Sequence, residues 1–119
     1  MYTLTCILVL LQIKHWYIDF VNQSSEEVHC KGIYGNLTGI GHSLKHAIAT
    51  GCILWIVFGY NYAVFGMIFD FIIHYHTDFV KRRYGNQDIT NPLFWNHLGL
   101  DQLVHQLTYI LLVLIFPLI

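Results

Sequence analysis

Charge is scarce in this chain. Only 11% of its 119 residues are Asp, Glu, Lys or Arg, while 55% are hydrophobic and mean hydropathy is +0.51. An ordinary soluble domain carries about a quarter charged residues. A chain this small also has too much surface for its volume to hide so much apolar matter from water. Lipid is the solvent that the composition fits. With six basic residues and a net charge of −1 there is no basic stripe to neutralise phosphates, which excludes nucleic acid as a partner. Cysteine is just as sparse: Cys6, Cys30 and Cys52 are odd in number and lack CxxC spacing, which argues against a disulfide framework or a zinc ribbon. Two of them fall in apolar runs, where a thiol behaves as a small hydrophobe. The apolar run from Met1 to Ile13 lacks a basic leader and is followed by Lys14, His15 and Asp19 rather than a small-residue cleavage site. It reads as a retained first helix.

What remains is a set of long apolar segments separated by polar loops. The expected fold is all-α: one membrane domain spanning 1–119, an integral bundle of four transmembrane helices at about 2–22, 40–60, 62–83 and 100–119. The stretch from Ala47 to Ile73 is too long for one span of ~20 residues and short for two. Gly59-Tyr60-Asn61-Tyr62 at its middle suits a tight interfacial turn, so a helical hairpin is expected there. The polar stretch 22–38 reads as a loop with room for a short interfacial helix. The stretch 85–100, with Pro92, Phe94 and Trp95, reads as a loop lying on the membrane surface between helices three and four. Lys14, Lys31, Lys45, Lys81, Arg82 and Arg83 then all fall on one side. The positive-inside rule makes that side cytoplasmic and puts both termini on the other.

The ionisable residues repeat one spacing. His15 and Asp19, His42 and His46, His74 and Asp78, and Asp101 and His105 are each one helical turn apart, one pair per helix, and under the hairpin reading all lie at one depth. Ionisable groups inside membrane segments are costly and usually face the bundle interior or a water-filled cavity. A histidine and a carboxylate one turn apart can grip a cation, as in bundle-core metal sites. The expected ligands are His15, Asp19, His46, His74, Asp78, Asp101 and His105, a donor set for one or two divalent ions of the Zn, Mn or Fe kind. For any one of these histidines alone, an interfacial side chain reaching for water would be the better reading. The case rests on four pairs at one depth, and it collapses if 47–73 is a single helix.

These stretches also resemble a known family. His15-Trp16-Tyr17-Ile18-Asp19-Phe20, then Lys31, His46, His74-Tyr75-His76-Thr77-Asp78-Phe79-Val80-Lys81 and Asp101-Gln102-Leu103-Val104-His105 are similar in order and spacing to domain of unknown function 3307. That family comprises small membrane proteins of bacteria and their phages. The resemblance implies a compact helical domain of the bacterial inner membrane and is shared with proteins labelled metal-dependent hydrolases. The chain departs from the pattern at Asn22-Gln23-Ser24, where the family has a Leu-Gln pair and a small polar residue. His42, His76 and His97 match none of the quoted stretches.

Three functions compete. The first is a metal-dependent hydrolase acting on a phosphoester or lipid-linked substrate at the cytoplasmic face, with Lys81 and Lys31 as the residues that meet the phosphate. The second is a membrane scaffold, an interaction subunit bound to a larger protein or to copies of itself, with Gly39, Gly41, Ala47 and Gly51 allowing close helix contacts. It needs no nucleophile, and the sequence has none of Ser-His or Cys-His type. The third is a proton or metal conduit. The apolar far halves of the helices, such as Thr3 to Ile13 and Ile110 to Ile119, speak against a through path.

Overall fold

The computed structural model describes residues 2–115, of which 85% are helical; no strand occurs among the described residues. Five helices follow one another. They are α1 (Tyr2–Trp16), continued by one wide turn at Tyr17–Val21, then α2 (Ser25–Cys30), α3 (Leu37–Phe58), α4 (Tyr60–Tyr84) and α5 (Pro92–Ile115). The wide turn is a π-turn, closed by the Asn22 N–H donating to the Tyr17 carbonyl at 2.8 Å.

The helix ends follow from the residues that occupy them. Ser24 and Glu27 form a reciprocal capping box on α2, the serine hydroxyl accepting from the Glu27 N–H at 3.1 Å and the Glu27 carboxylate from the Ser24 N–H at 2.8 Å. Asn36 caps α3 by accepting from the Thr38 N–H at 2.8 Å. Between α3 and α4 the chain reverses at Gly59 alone, whose φ of 86° a residue with a Cβ would rarely adopt. The long apolar stretch is therefore a hairpin. Its arms approach closely because Gly51 and Gly66 lack side chains where the Met67 and Leu54 side chains pack.

The loop before α5 differs from the sequence expectation. The last helix begins at Pro92 and not near Leu100, leaving only 85–91 as connection. Proline at the first helical position has no N–H to lose and a φ already suited to the helix, and the Asn91 side chain accepts from the Leu93 N–H at 2.9 Å. Phe94 and Trp95 thus ride on the first turn of α5, where the Trp95 indole donates to the Ile89 carbonyl at 3.0 Å.

One end of the bundle is an ordinary apolar core. Ile7, Leu11, Leu54, Tyr62, Ala63, Leu112 and Val113 pack there, and the Tyr62 hydroxyl donates to the Leu112 carbonyl. Outside, Ile13, Ile48, Ile56, Ile68, Leu107 and Leu114 are exposed, which is the inverse of a soluble surface. Three segments, Thr3–Val21, Leu37–Phe58 and Pro92–Ile115, are long and apolar enough to cross a membrane. α4 is as long, at 25 residues, but carries Asp70, Asp78, Lys81, Arg82 and Arg83.

Candidate metal centre

The inward face of each long helix is a stripe of polar residues one turn apart. On α3 it is His42, His46 and Thr50; on α4 Asp78, His74 and Asp70; on α5 Asp101, His105 and Tyr109. α1 and its π-turn add Asp19, His15 and Lys14. All of these are buried. Because α4 runs antiparallel to α3, the stripes meet in register and the site has three tiers.

The middle tier is a ring of imidazoles. His46 stacks on His74 at 3.7 Å between centroids and His74 on His105 at 4.1 Å, with His15 4.8 Å from His105 and 5.3 Å from His46. Above it lie the carboxylates. Asp19 Oδ1 is 2.9 Å from His42 Nε2 and 3.0 Å from His46 Nε2, and Asp78 Oδ1 is 3.3 Å from His105 Nε2. Lys31, from the end of α2, reaches down between them, its Nζ 2.8 Å from Asp78 and 3.6 Å from Asp19. Below the ring is a polar floor. Lys14 donates to Asp70 at 2.9 Å and to the His46 carbonyl at 3.1 Å, Thr50 donates to Asp70 at 2.6 Å, and the Lys14 ammonium lies 4.7 Å from the Tyr109 ring centre.

Three groups of side chains bring ligand atoms within 4.8 Å of one another: Asp19, His42, His46 and His74; His15, His74 and His105; and Asp19, His74, Asp78 and His105. His74 belongs to all three. It is fully buried; its Nε2 lies 3.3 Å from Asp78 and 3.8 Å from Asp19, while its Nδ1 has no hydrogen-bond partner among the described residues. Buried polar groups are almost always hydrogen-bonded, so a wholly buried imidazole with one unpartnered nitrogen and one long contact to a carboxylate leaves room for a ligand. Imidazole nitrogens and carboxylate oxygens on facing helices are also the donors that Zn, Mn and Fe accept. The residues present therefore fit a divalent cation.

The sequence-expected ligands separate once the partners are known. Asp19, His46, Asp78 and His105 surround the His74 imidazole. His15 and His46 belong to the ring, but both nitrogens of each have protein partners, the Tyr109 hydroxyl at 3.0 Å and Gln102 Oε1 at 2.9 Å for His15, and Asp19 at 3.0 Å and the Lys14 ammonium at 3.4 Å for His46. Gln102 Oε1 can only accept, so Nε2 of a neutral His15 carries the proton and Nδ1 accepts from the tyrosine. Asp101 is in none of the three groups. Its Oδ2 accepts from Lys81 at 2.8 Å and from Gln102 at 3.0 Å. Lys81 thus pairs across to α5 and leaves Asp78 to Lys31.

His42, which matches none of the quoted stretches, is wholly buried against Asp19, with Glu27 3.7 Å from its other nitrogen. Asp70 and Thr50 were hidden in a run that reads as apolar. The signal for both was the same one-turn spacing continued: 42, 46, 50 and 70, 74, 78. Comparison of the chain with known protein families, curated proteins and solved structures finds no match to any of them.

Proposed function

We propose that this chain is a four-span membrane protein whose His/Asp centre holds one or two divalent cations and hydrolyses a phosphoester at the cytoplasmic face. Three apolar spans and a fourth helix of matching length, closed on α3 by a one-residue turn, support the four-span reading. In a bacterial inner membrane this arrangement leaves both termini on the non-cytoplasmic side. Asp19, His42, His46, His74, Asp78 and His105 are the ligands this reading assigns. A divalent cation there would supply Lewis-acid polarisation of a phosphoryl oxygen and acidify a coordinated water. Lys31 and Lys81 border the mouth and meet the substrate's phosphate, while the apolar tier beneath the floor shuts the site off from the far side of the bilayer.

The single observation that carries this reading is the fully buried imidazole of His74, shared by all three groups of converging ligand atoms and with one ring nitrogen unpartnered. Plasma mass spectrometry on the purified chain tests it. Stoichiometric zinc, manganese or iron is expected, and it should disappear in His74→Ala and Asp78→Asn. A well-folded, metal-free chain would end the hydrolase reading.

One observation favours a second reading. Three lysines each pair with a buried carboxylate, Lys14 with Asp70, Lys31 with Asp78 and Lys81 with Asp101. Such a network can lock a bundle without chemistry, as an interaction subunit of a larger assembly would need. A conduit is the weakest of the three, because the polar stripes stop at the floor.

A further inference from the structure

Two hollows meet at Lys81 and His97. The first, of about 220 Å³, carries the cations Lys31, Lys81 and Arg82 and no carboxylate, beside apolar walls of Val28, Phe94 and Leu98. The second, of about 530 Å³, is a groove between α4 and α5 walled by Val80, Tyr84, Leu100 and Val104. Its volume is in the range of small-molecule sites. Its walls belong to the exposed apolar surface, so it opens sideways toward the phase in which that surface is dissolved. The one acid in the groove, Asp101, is already paired with Lys81.

Two groups at the junction are free to bind. Arg82 touches the Gln87 side chain, and among the described residues no carboxylate pairs with it. His97 Nδ1 accepts from the Asn86 N–H at 2.9 Å, so the neutral ring carries its proton on Nε2, which has no partner among the described residues. A forked guanidinium with no carboxylate partner and an imidazole N–H, beside the Lys81 ammonium that Asp101 already holds, suit a phosphate. The groove beside it suits a hydrocarbon chain.

We infer that the two hollows form one split site for a single-chain amphiphile with a phosphate-monoester head. The head lies among Arg82, Lys81 and His97, and the chain lies along Val80, Leu100 and Val104. Lys81 stands one turn from Asp78 on α4, so a phosphate held there borders the proposed centre. That this amphiphile is the substrate rests on the hydrolase reading; that it binds does not.

The test uses the full chain in phosphatidylcholine nanodiscs, with radiolabelled dodecyl phosphate as probe and empty discs as background. Inorganic phosphate and dodecanol serve as competitors, and metal content is measured on the same samples. Dodecyl phosphate is expected to bind and to be displaced poorly by either competitor alone. Arg82→Gln and Val104→Trp, which fills the groove, should each weaken binding roughly tenfold or more while metal content is unchanged. Displacement by inorganic phosphate or dodecanol alone, or unaltered binding in both variants, would overturn the split site. Metal retained without dodecyl phosphate binding would sink this inference and leave the centre standing. Specific binding to a chain that holds no metal would do the reverse.

Discussion

Asp70 lies in the middle of α4 with 1% of its surface exposed, and its stability depends on Lys14 and Thr50. Removing one member of a buried ion pair leaves a charge without compensation, which costs about 3–5 kcal/mol, whereas replacing both by apolar residues is often neutral. Lys14→Met alone is therefore expected to lower the thermal midpoint of the detergent-purified chain sharply, and Lys14→Met/Asp70→Leu to restore most of it. Equal midpoints for the single and double variants would show that the floor is not a coupled pair. At this scale the sequence is legible where the signal is a short-range spacing. His15, Asp19, His74 and Asp78 announce themselves because one helical turn is a local quantity. His42 shares that spacing with His46, but its place against Asp19, like that of Asp70 against Lys14, shows only once the helices face each other. Gln102 and Tyr109 are further still from view, since only the closed bundle shows that they hold the His15 ring.

Among the elements, α2 is the smallest and the most dependent on charge. Its Glu27 accepts from the Ser24 N–H, pairs with Lys45 and lies near His42. Burial pushes the Glu27 carboxyl up, but the Lys45 ammonium and the Ser24 N–H outweigh it and hold the group below its ordinary value of 4.5. A depressed carboxyl pKa contributes stability that is present above the unfolded value and is lost as pH falls through the folded one. Hydrogen exchange of 25–30 is thus expected to speed up as pH drops below 4.5, after correction for intrinsic rates. Glu27→Gln should show the fast rate at neutral pH, and identical corrected rates at pH 7 and pH 3 would contradict the assignment. The α3–α4 reversal is legible in advance, because glycine beside asparagine and tyrosines interrupts an apolar run of the wrong length. The start of α5 is not. Pro92 looks like loop chemistry until Asn91 is seen capping the helix that the proline opens.

For the whole molecule the decisive question is which ends share a side. The hairpin puts the 22–36 and 85–91 connections at the same end of the bundle, together with the polar stripes. Single cysteines at Ser25 and Gln87, in a chain with Cys6, Cys30 and Cys52 replaced by Ala, are expected to react with a membrane-impermeant maleimide from one side only, and from the same side. Labelling from opposite sides would break the four-span arrangement. That the chain is helical, with segments apolar enough to cross a membrane, is legible from its long apolar runs and scarce charge, which need no knowledge of contacts. The polar interior is less so, since a bundle must close before its tiers exist.

The depth of those tiers has an electrical consequence. Asp70 is ten residues from Tyr60, about 15 Å at 1.5 Å per residue, and a bilayer's hydrocarbon core is about 30 Å thick. A chain spanning such a bilayer carries its polar floor near the midplane, well below the headgroups. An ion that descends to the imidazole ring then traverses a sizeable part of the transmembrane voltage. His74 is fourteen residues from Tyr60, about 21 Å, so a divalent ion reaching the ring would cross roughly a third of the drop, worth ~1.5 kcal/mol per 100 mV at ~2.3 kcal/mol per charge for the whole. Occupancy of the proposed centre would then respond to membrane potential as well as to concentration, a dependence that a surface site does not have.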